Sequence, residues 1–306
     1  MSKSISTREK GTKKKPSRKG SFNKVRIFLV ILLMLVGLGV LLYPTISNLW
    51  NEYLHYRQIG SYEIEVSQLP DERIAQLKAD AIEYNSQHDK NVIMDAFNDE
   101  NQYVLTHPYD TLLEVDGSGM MCYLDIPRIN EKMVVYHGIT AKVLEKGVGH
   151  IEGTSLPVGG ESTHAVLSAH RGLPSAKLFT DLDQIVIGDQ FYIHVLDEHL
   201  AYEVSEINTV LPEEISLLDI VPGEDLVTLV TCTPYGVNTH RLLIRGHRVP
   251  YVPPEEPTVT VWEKMSELKF AVITLLVALL IADIVFIIFR LKKRKKKKDG
   301  QNQTSK

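Results

Sequence analysis

The chain has 306 residues, 44% hydrophobic and 24% charged, which is ordinary for a globular protein with a real core and fits one large domain or two small ones. Its net charge of −4 conceals a segregation: residues 1–26 carry ten Lys/Arg against one acid, residues 290–306 carry nine against one, and everything between sums to −21. Basic ends of this kind suit anionic lipid or nucleic acid, and what adjoins them excludes nucleic acid.

Next to the first basic tail stands IFLVILLMLVGLGVLLY, residues 27–43, without a charge. Next to the second stands FAVITLLVALLIADIVFIIF, residues 270–289, apolar except for Asp283. Each is about long enough to cross a hydrocarbon core of ~30 Å as a helix. The stretch YPTISNLW beyond the first offers no small-x-small cleavage site, so this segment reads as a retained anchor rather than a signal peptide. Lys and Arg beside a span keep that end in the cytoplasm. Both termini are therefore expected inside and residues 44–269 outside. Asp283, costly in mid-span, reads as a helix-packing or assembly contact.

Residues 50–90 read as helical, with Ser67 as N-cap, Pro70 and acids in a first turn, and Ile74, Leu77, Ala81 and Tyr84 at helical spacing. Residues 88–119 lose that periodicity and are rich in Asp, Asn and turn formers. An irregular stretch of this length is a linker or a functional loop. From 120 onward short apolar or alternating runs follow one another: MCYLDIPRI, MVVYHG, HAVLSAH, QFYIHVL, LAYEVSEINTVL, LVTLVTC and RLLIRGHRV. Strands at this spacing with turns between them predict an all-β barrel or sandwich with short helices, at TAKVLEKG and PSAKLFTDLDQI. The Pro-rich VPPEEPTVT reads as a spacer. The expected organisation is a basic tail (1–26), a span (27–43), an outer helical region with its loop (44–119), a β domain (120–252), a linker (253–269), a second span (270–289) and a second basic tail (290–306).

Among eleven histidines there is no His-Glu-x-x-His pattern, and the two cysteines form no Cys-x-x-Cys pair, so no metal site is expected. No phosphate-binding glycine loop occurs and no cofactor is implied; GTSLPVGG suits a β-turn better. Cys122, inside a strand, reads as a small buried hydrophobe rather than a disulfide partner. Cys232 ends the apolar run LVTLVTC, and a thiol there needs a proton acceptor or a cationic neighbour to act as a nucleophile. His170, at the end of a buried strand and before a Gly/Pro turn, is the best-placed candidate, although His240 and His247 lie closer in sequence and spacing does not choose among them. Arg241, nine residues after Cys232, could meet an oxyanion with its forked donors, and Arg245 shares its strand face at period two.

TLVTC followed nine residues later by Arg resembles the sortase signature, and the likeness extends through HIEGTSLPVGGESTHAVLSAHRGLPSAKLFTDLD and TCTPYGVNTHRLLIRGHRVPY to class C sortases, the pilin polymerases of Gram-positive bacteria. The resemblance covers about residues 50–255. It implies an eight-stranded sortase β-barrel with Cys232 as nucleophile, His170 as acid/base and Arg241 as oxyanion or substrate clamp. The implied partners are pilin subunits bearing an LPXTG-like sorting signal and an acceptor lysine, and the lipid bilayer. Such enzymes carry a lid with an Asp-Pro-aromatic motif. Its counterpart here is DAF, Asp95-Ala96-Phe97, with HPYD (residues 107–110) as a second match. The competing functions are a sortase that attaches proteins to peptidoglycan and a non-catalytic membrane-tethered barrel that binds surface proteins.

Overall fold

The computed structural model describes residues 19–87 and 109–253, with isolated helical positions between 275 and 286. The DAF lid segment, residues 107–108 of HPYD, Asp283 and most of the second apolar run lie outside the described residues.

Helix α1 runs unbroken from Lys19 to Gln68, through the first apolar run and far beyond it. Its outer part buries Ile59, Tyr62 and Val66, spaced three and four apart as one helical stripe requires, against Tyr123, Val134 and Tyr136. Polar contacts fix the rest of this face. The His55 ring accepts from the Val134 amide (3.2 Å), the Tyr136 hydroxyl donates to Gln58 (2.6 Å), and the Tyr62 hydroxyl accepts from the Leu196 amide (2.8 Å). Helix α2, Asp71–Gln87, begins with acids in its first turn, where the helix dipole favours them. The amides of Arg73 and Ile74 bond to the Pro70 carbonyl, so Pro70 supports the start of α2. Ser67, expected as the N-cap, instead lies in the last turn of α1 and donates to the Ile64 carbonyl. The reason is that α1 is longer than its periodicity announces. Leu77, Ala81 and Tyr84 of α2 do enter the core.

Eight strands form a closed barrel: β1 (Met120–Ile126), β2 (Glu131–His137), β3 (Val148–His150), β4 (Thr163–Ser168), β5 (Gln190–Val195), β6 (Glu198–Val210), β7 (Asp225–Thr233) and β8 (His240–Val249). Around the barrel the order is β1-β2-β3-β4-β7-β8-β6-β5. A short helix α3, Ala141–Leu144, lies within the run TAKVLEKG, whereas PSAKLFTDLDQI yields only one 3₁₀ turn, Leu182–Gln184. Pairing is antiparallel except for β2–β3 and β4–β7. It follows that β1, β4, β6 and β7 all end at one mouth of the barrel, where β2, β3, β5 and β8 begin.

Closure leaves no long open sheet edge, and alternate side chains fill the interior. On β7 and β8, Val227, Leu229, Leu242 and Ile244 join the main core. Their alternates Val230 and Leu243 pack with Val166 and Leu218 in a second apolar cluster on the outer face, beneath the β6–β7 loop. The strand missing from the sequence reading, β3, is three residues long and centred on Gly149. A Cβ there would collide with the Gly138 carbonyl, so the backbone approach demands glycine at the cost of any hydrophobic signal.

Candidate active site

Cys232 is the penultimate residue of β7, and its register partner across the antiparallel pair is Arg241 of β8. Side chains alternate along each strand, so Cys232 shares the outer face with Val230, and Arg241 shares it with Leu243. The parallel neighbour β4 pairs Ser168 with Val230, and the chain stays alongside β7 past the strand end. The Ala169 amide donates to the Val230 carbonyl (3.2 Å), and the Thr231 hydroxyl donates to the Ala169 carbonyl (2.8 Å). Continued by two residues, that register brings His170 level with Cys232. Cys232 and Arg241 thus come from adjacent strands and His170 from the segment just past the end of a third, at one barrel mouth. His240 begins β8 opposite Thr233, and His247 lies near its far end, opposite Leu226. Proximity in sequence therefore does not carry His247 to this place.

The environment suits a thiol–imidazole pair. Cys232 and Arg241 are buried and His170 is half-buried. Burial pushes the His170 pKa below the ordinary histidine range, with a smaller opposing pull from Glu145. At neutral pH the ring is therefore held in its proton-accepting form. One Arg241 terminal nitrogen donates to the carbonyls of Asn238 (3.3 Å) and His240 (3.2 Å), which fixes the guanidinium at the turn entering β8. The two cysteines form no disulfide, and Cys122 sits fully buried with its thiol pKa pushed up by desolvation, as befits an inert core residue.

Two arginines flank this arrangement with roles that spacing did not reveal. Arg171, next to His170, donates to the Thr180 carbonyl (3.2 Å) and to the Thr233 hydroxyl (3.2 Å), and pairs with Asp183. It thereby ties the loop after His170 to the residue after Cys232. Gly172 reinforces the tie: its φ is +77°, and the Tyr235 ring occupies the space a Cβ would need. Arg245 shares the face of Arg241 as expected, but it pairs with Glu206 and donates to the Leu217 carbonyl, holding the β6–β7 loop instead. His164 holds the same loop two residues on. Its ring bonds the Asp219 carbonyl (2.8 Å) and the Thr228 hydroxyl (2.7 Å), and burial lowers its pKa to about 4. Between loop and barrel runs an apolar crevice lined by Val210, Leu211, Pro212, Ile215 and Val230, ending at Arg241.

Of the alternative lid motif HPYD, only Tyr109 and Asp110 are among the described residues. Tyr109 is buried, its hydroxyl contacts the His150 ring (2.8 Å) and accepts from the Gly138 amide (3.0 Å), and these partners lie toward the opposite end of the barrel. Tyr109 is thus a core anchor at that end of the barrel.

Comparison with known proteins agrees with the architecture. The sortase domain model matches residues 124–249. A solved sortase C of Streptococcus pneumoniae is 42% identical, covering 65% of this chain and all of that one with a TM-score of 0.59. A solved sortase C1 of Streptococcus agalactiae is 43% identical, with 65% and 100% coverage and a TM-score of 0.60. The sortase A of Streptococcus agalactiae serotype III is 26% identical over 74% of this chain and 85% of that protein. A barrel of this topology, a sortase-domain match across its strands and identity above 40% to solved class C enzymes place the chain in the sortase family, among the class C sortases.

Proposed function

We propose that this chain is a membrane-anchored cysteine transpeptidase that joins pilin subunits, with Cys232 as nucleophile, His170 as acid/base and Arg241 as oxyanion clamp. The observation that carries this reading is the register that pairs Cys232 with Arg241 and that, continued two residues past β4, puts His170 level with Cys232. Neutral His170 takes the Cys232 proton, and the thiolate attacks the threonine carbonyl of an LPXTG-like signal. Charge develops on that carbonyl oxygen, and the Arg241 guanidinium stands where it can meet it. As the tetrahedral intermediate collapses, protonated His170 gives its proton to the departing glycine amine and a Cys232 thioester remains. The ε-amine of a pilin lysine then attacks the thioester, passes its proton to His170 and leaves as an isopeptide, restoring the thiol. The crevice ending at Arg241 has only about 20 Å³ of open volume, so the β6–β7 loop must move outward for it to seat the leucine and proline that precede the scissile bond.

Pilin joining is favoured over attachment to peptidoglycan because the likeness to sortases C, one of them described as pilus-related, runs at 42% identity against 26% for a sortase A. The anchor is α1, and the second apolar run would return the chain to the cytoplasm as a second span. Asp95 and Phe97 are proposed as the lid that shields the thiol.

The test is incubation of the full chain with a sorting-signal peptide and a pilin subunit, followed by mass spectrometry. An acyl adduct on Cys232 and a lysine-linked product are expected, and both should vanish in Cys232→Ala; cleavage surviving that substitution would defeat the assignment. For the lid, Asp95→Ala combined with Phe97→Ala should accelerate labelling of Cys232 by a thiol reagent. Unchanged labelling would remove this segment from the site.

A further inference from the structure

The mouth of the barrel that carries Cys232 is also the end of the barrel nearest the apolar run of α1. Ser47 and Asn51 of α1 both donate to the carbonyl of Ser175, five residues beyond His170 in the loop at that mouth. Farther along α1 the contacts climb away from the mouth, to Val134, then Tyr136, then Leu196. The helix is continuous, so its axial rise fixes heights: Ser47 and Asn51 stand about 6 and 12 Å beyond Tyr43. Tyr43 and Trp50, both exposed on α1, are residue types that settle at the membrane–water interface. A headgroup layer is about 5–7 Å thick on each side of the hydrocarbon core. The loop bearing Ser175 therefore sits at the outer edge of that layer.

The surface chemistry of this mouth matches that height. Val186, Ile187, Leu211, Tyr235 and Val237 are 47% to 67% exposed, and all five belong to connections that open at the Cys232 end. Exposed large apolar side chains gathered on one end mark a contact surface. Arg128 of the β1–β2 turn and Lys177 of the β4–β5 loop also lie at this end, but Arg128 pairs with Asp189 and Lys177 with Glu131 and Asp181, so the apolar side chains carry the contact.

We propose that the catalytic mouth rests on the outer leaflet, with Ile187, Val186 and Val237 in its headgroup layer, and that α1 acts as a rigid strut setting the distance from Cys232 to the bilayer. The consequence is selection by height. A peptide bond presented just outside the membrane reaches Cys232, whereas the same motif far from the surface does not approach from that side. The inference rests on α1 being the membrane anchor proposed above.

The test uses the full chain carrying Cys232→Ala, since Cys122 is buried. Single cysteines are introduced as Ile187→Cys, Val237→Cys, Glu161→Cys at the opposite end, and Val40→Cys within the span. Each is labelled with an environment-sensitive fluorophore and reconstituted into phosphatidylcholine vesicles containing a nitroxide lipid. Fractional quenching at Ile187→Cys and Val237→Cys should exceed that at Glu161→Cys by at least about threefold, as expected for side chains in the interface. If the span label is quenched while the two mouth labels match Glu161→Cys, the barrel stands clear of the lipid and the proposal is overturned with the anchor intact. If the span label escapes as well, α1 is not the anchor and the proposal falls with it.

Discussion

Cys232 and Arg241 are placed by strand pairing, but His170 stands two residues past the end of β4 and depends on its neighbours for position. Arg171 is the main one, because a single guanidinium holds the Thr180 carbonyl, Asp183 and the Thr233 hydroxyl together. A misplacement of about 1 Å can cost up to ~10²-fold in rate. Arg171→Ala is accordingly expected to lower kcat for peptide cleavage by about tenfold or more, with KM changed less than about twofold. Arg171→Lys should restore only part, since an ammonium lacks the planar fork. Loosening the loop also relieves the burial that lowers the His170 pKa, so the acid limb of the pH–rate profile should move to higher pH in Arg171→Ala. An unmoved acid limb and unchanged kcat would show that Arg171 is merely structural.

Among elements, the β6–β7 loop is held in place by side chains of the barrel. Arg245 grips it at Leu217 and His164 grips it two residues on at Asp219, just beyond Leu211, Pro212 and Ile215, which line the crevice that ends at Arg241. A wall held this way governs binding of the substrate rather than the chemical step. Arg245→Ala should therefore raise KM for a sorting-signal peptide by about fivefold or more while kcat stays nearly constant, the mark of lost uniform binding. Steady-state cleavage of a fluorogenic peptide checks this, and a fall in kcat at constant KM would contradict it.

Across the whole molecule, three buried histidines link stability to pH. Burial lowers the pKa of His55 and His164 to about 4 and that of His194 to about 3. In the unfolded chain the ordinary value is about 6.5, so the unfolded state takes up protons first as pH falls. Stability is complete above that value and declines below it toward pH 4, by up to about 1.4 kcal/mol per pH unit for each histidine. Thermal unfolding at pH 7.5 and pH 5 should show a clear drop in Tm at the lower pH; a flat profile would refute the linkage. His55 adds a directional element, because its ring accepts from Val134 and joins α1 to β2. Acid should therefore loosen the strut as well as the barrel.

Much of this was legible in the sequence, and the reason is local. Apolar alternation bounded by turns depends only on neighbouring residues, so it announced seven of the eight strands, and the uncharged run at 27–43 announced the helix around it. The eighth strand was silent because Gly149 answers to the backbone of Gly138, not to a hydrophobic period. Ser67 misled because a helix that continues on tertiary contacts outruns its capping signals. At the site, Cys232 and Arg241 are linked by motif, while the choice of His170 over His240 and His247 rests on resemblance more than on spacing. Only the tertiary structure brings β4 alongside β7, since parallel pairing between strands some sixty residues apart leaves no periodic trace. The same holds for Arg171, whose reach to Thr233 crosses 62 residues, and for the direction in which the barrel mouth faces. Composition and periodicity specify which elements form and which faces are apolar. Which side chains meet is decided when the barrel closes, because closure alone sets register and distance.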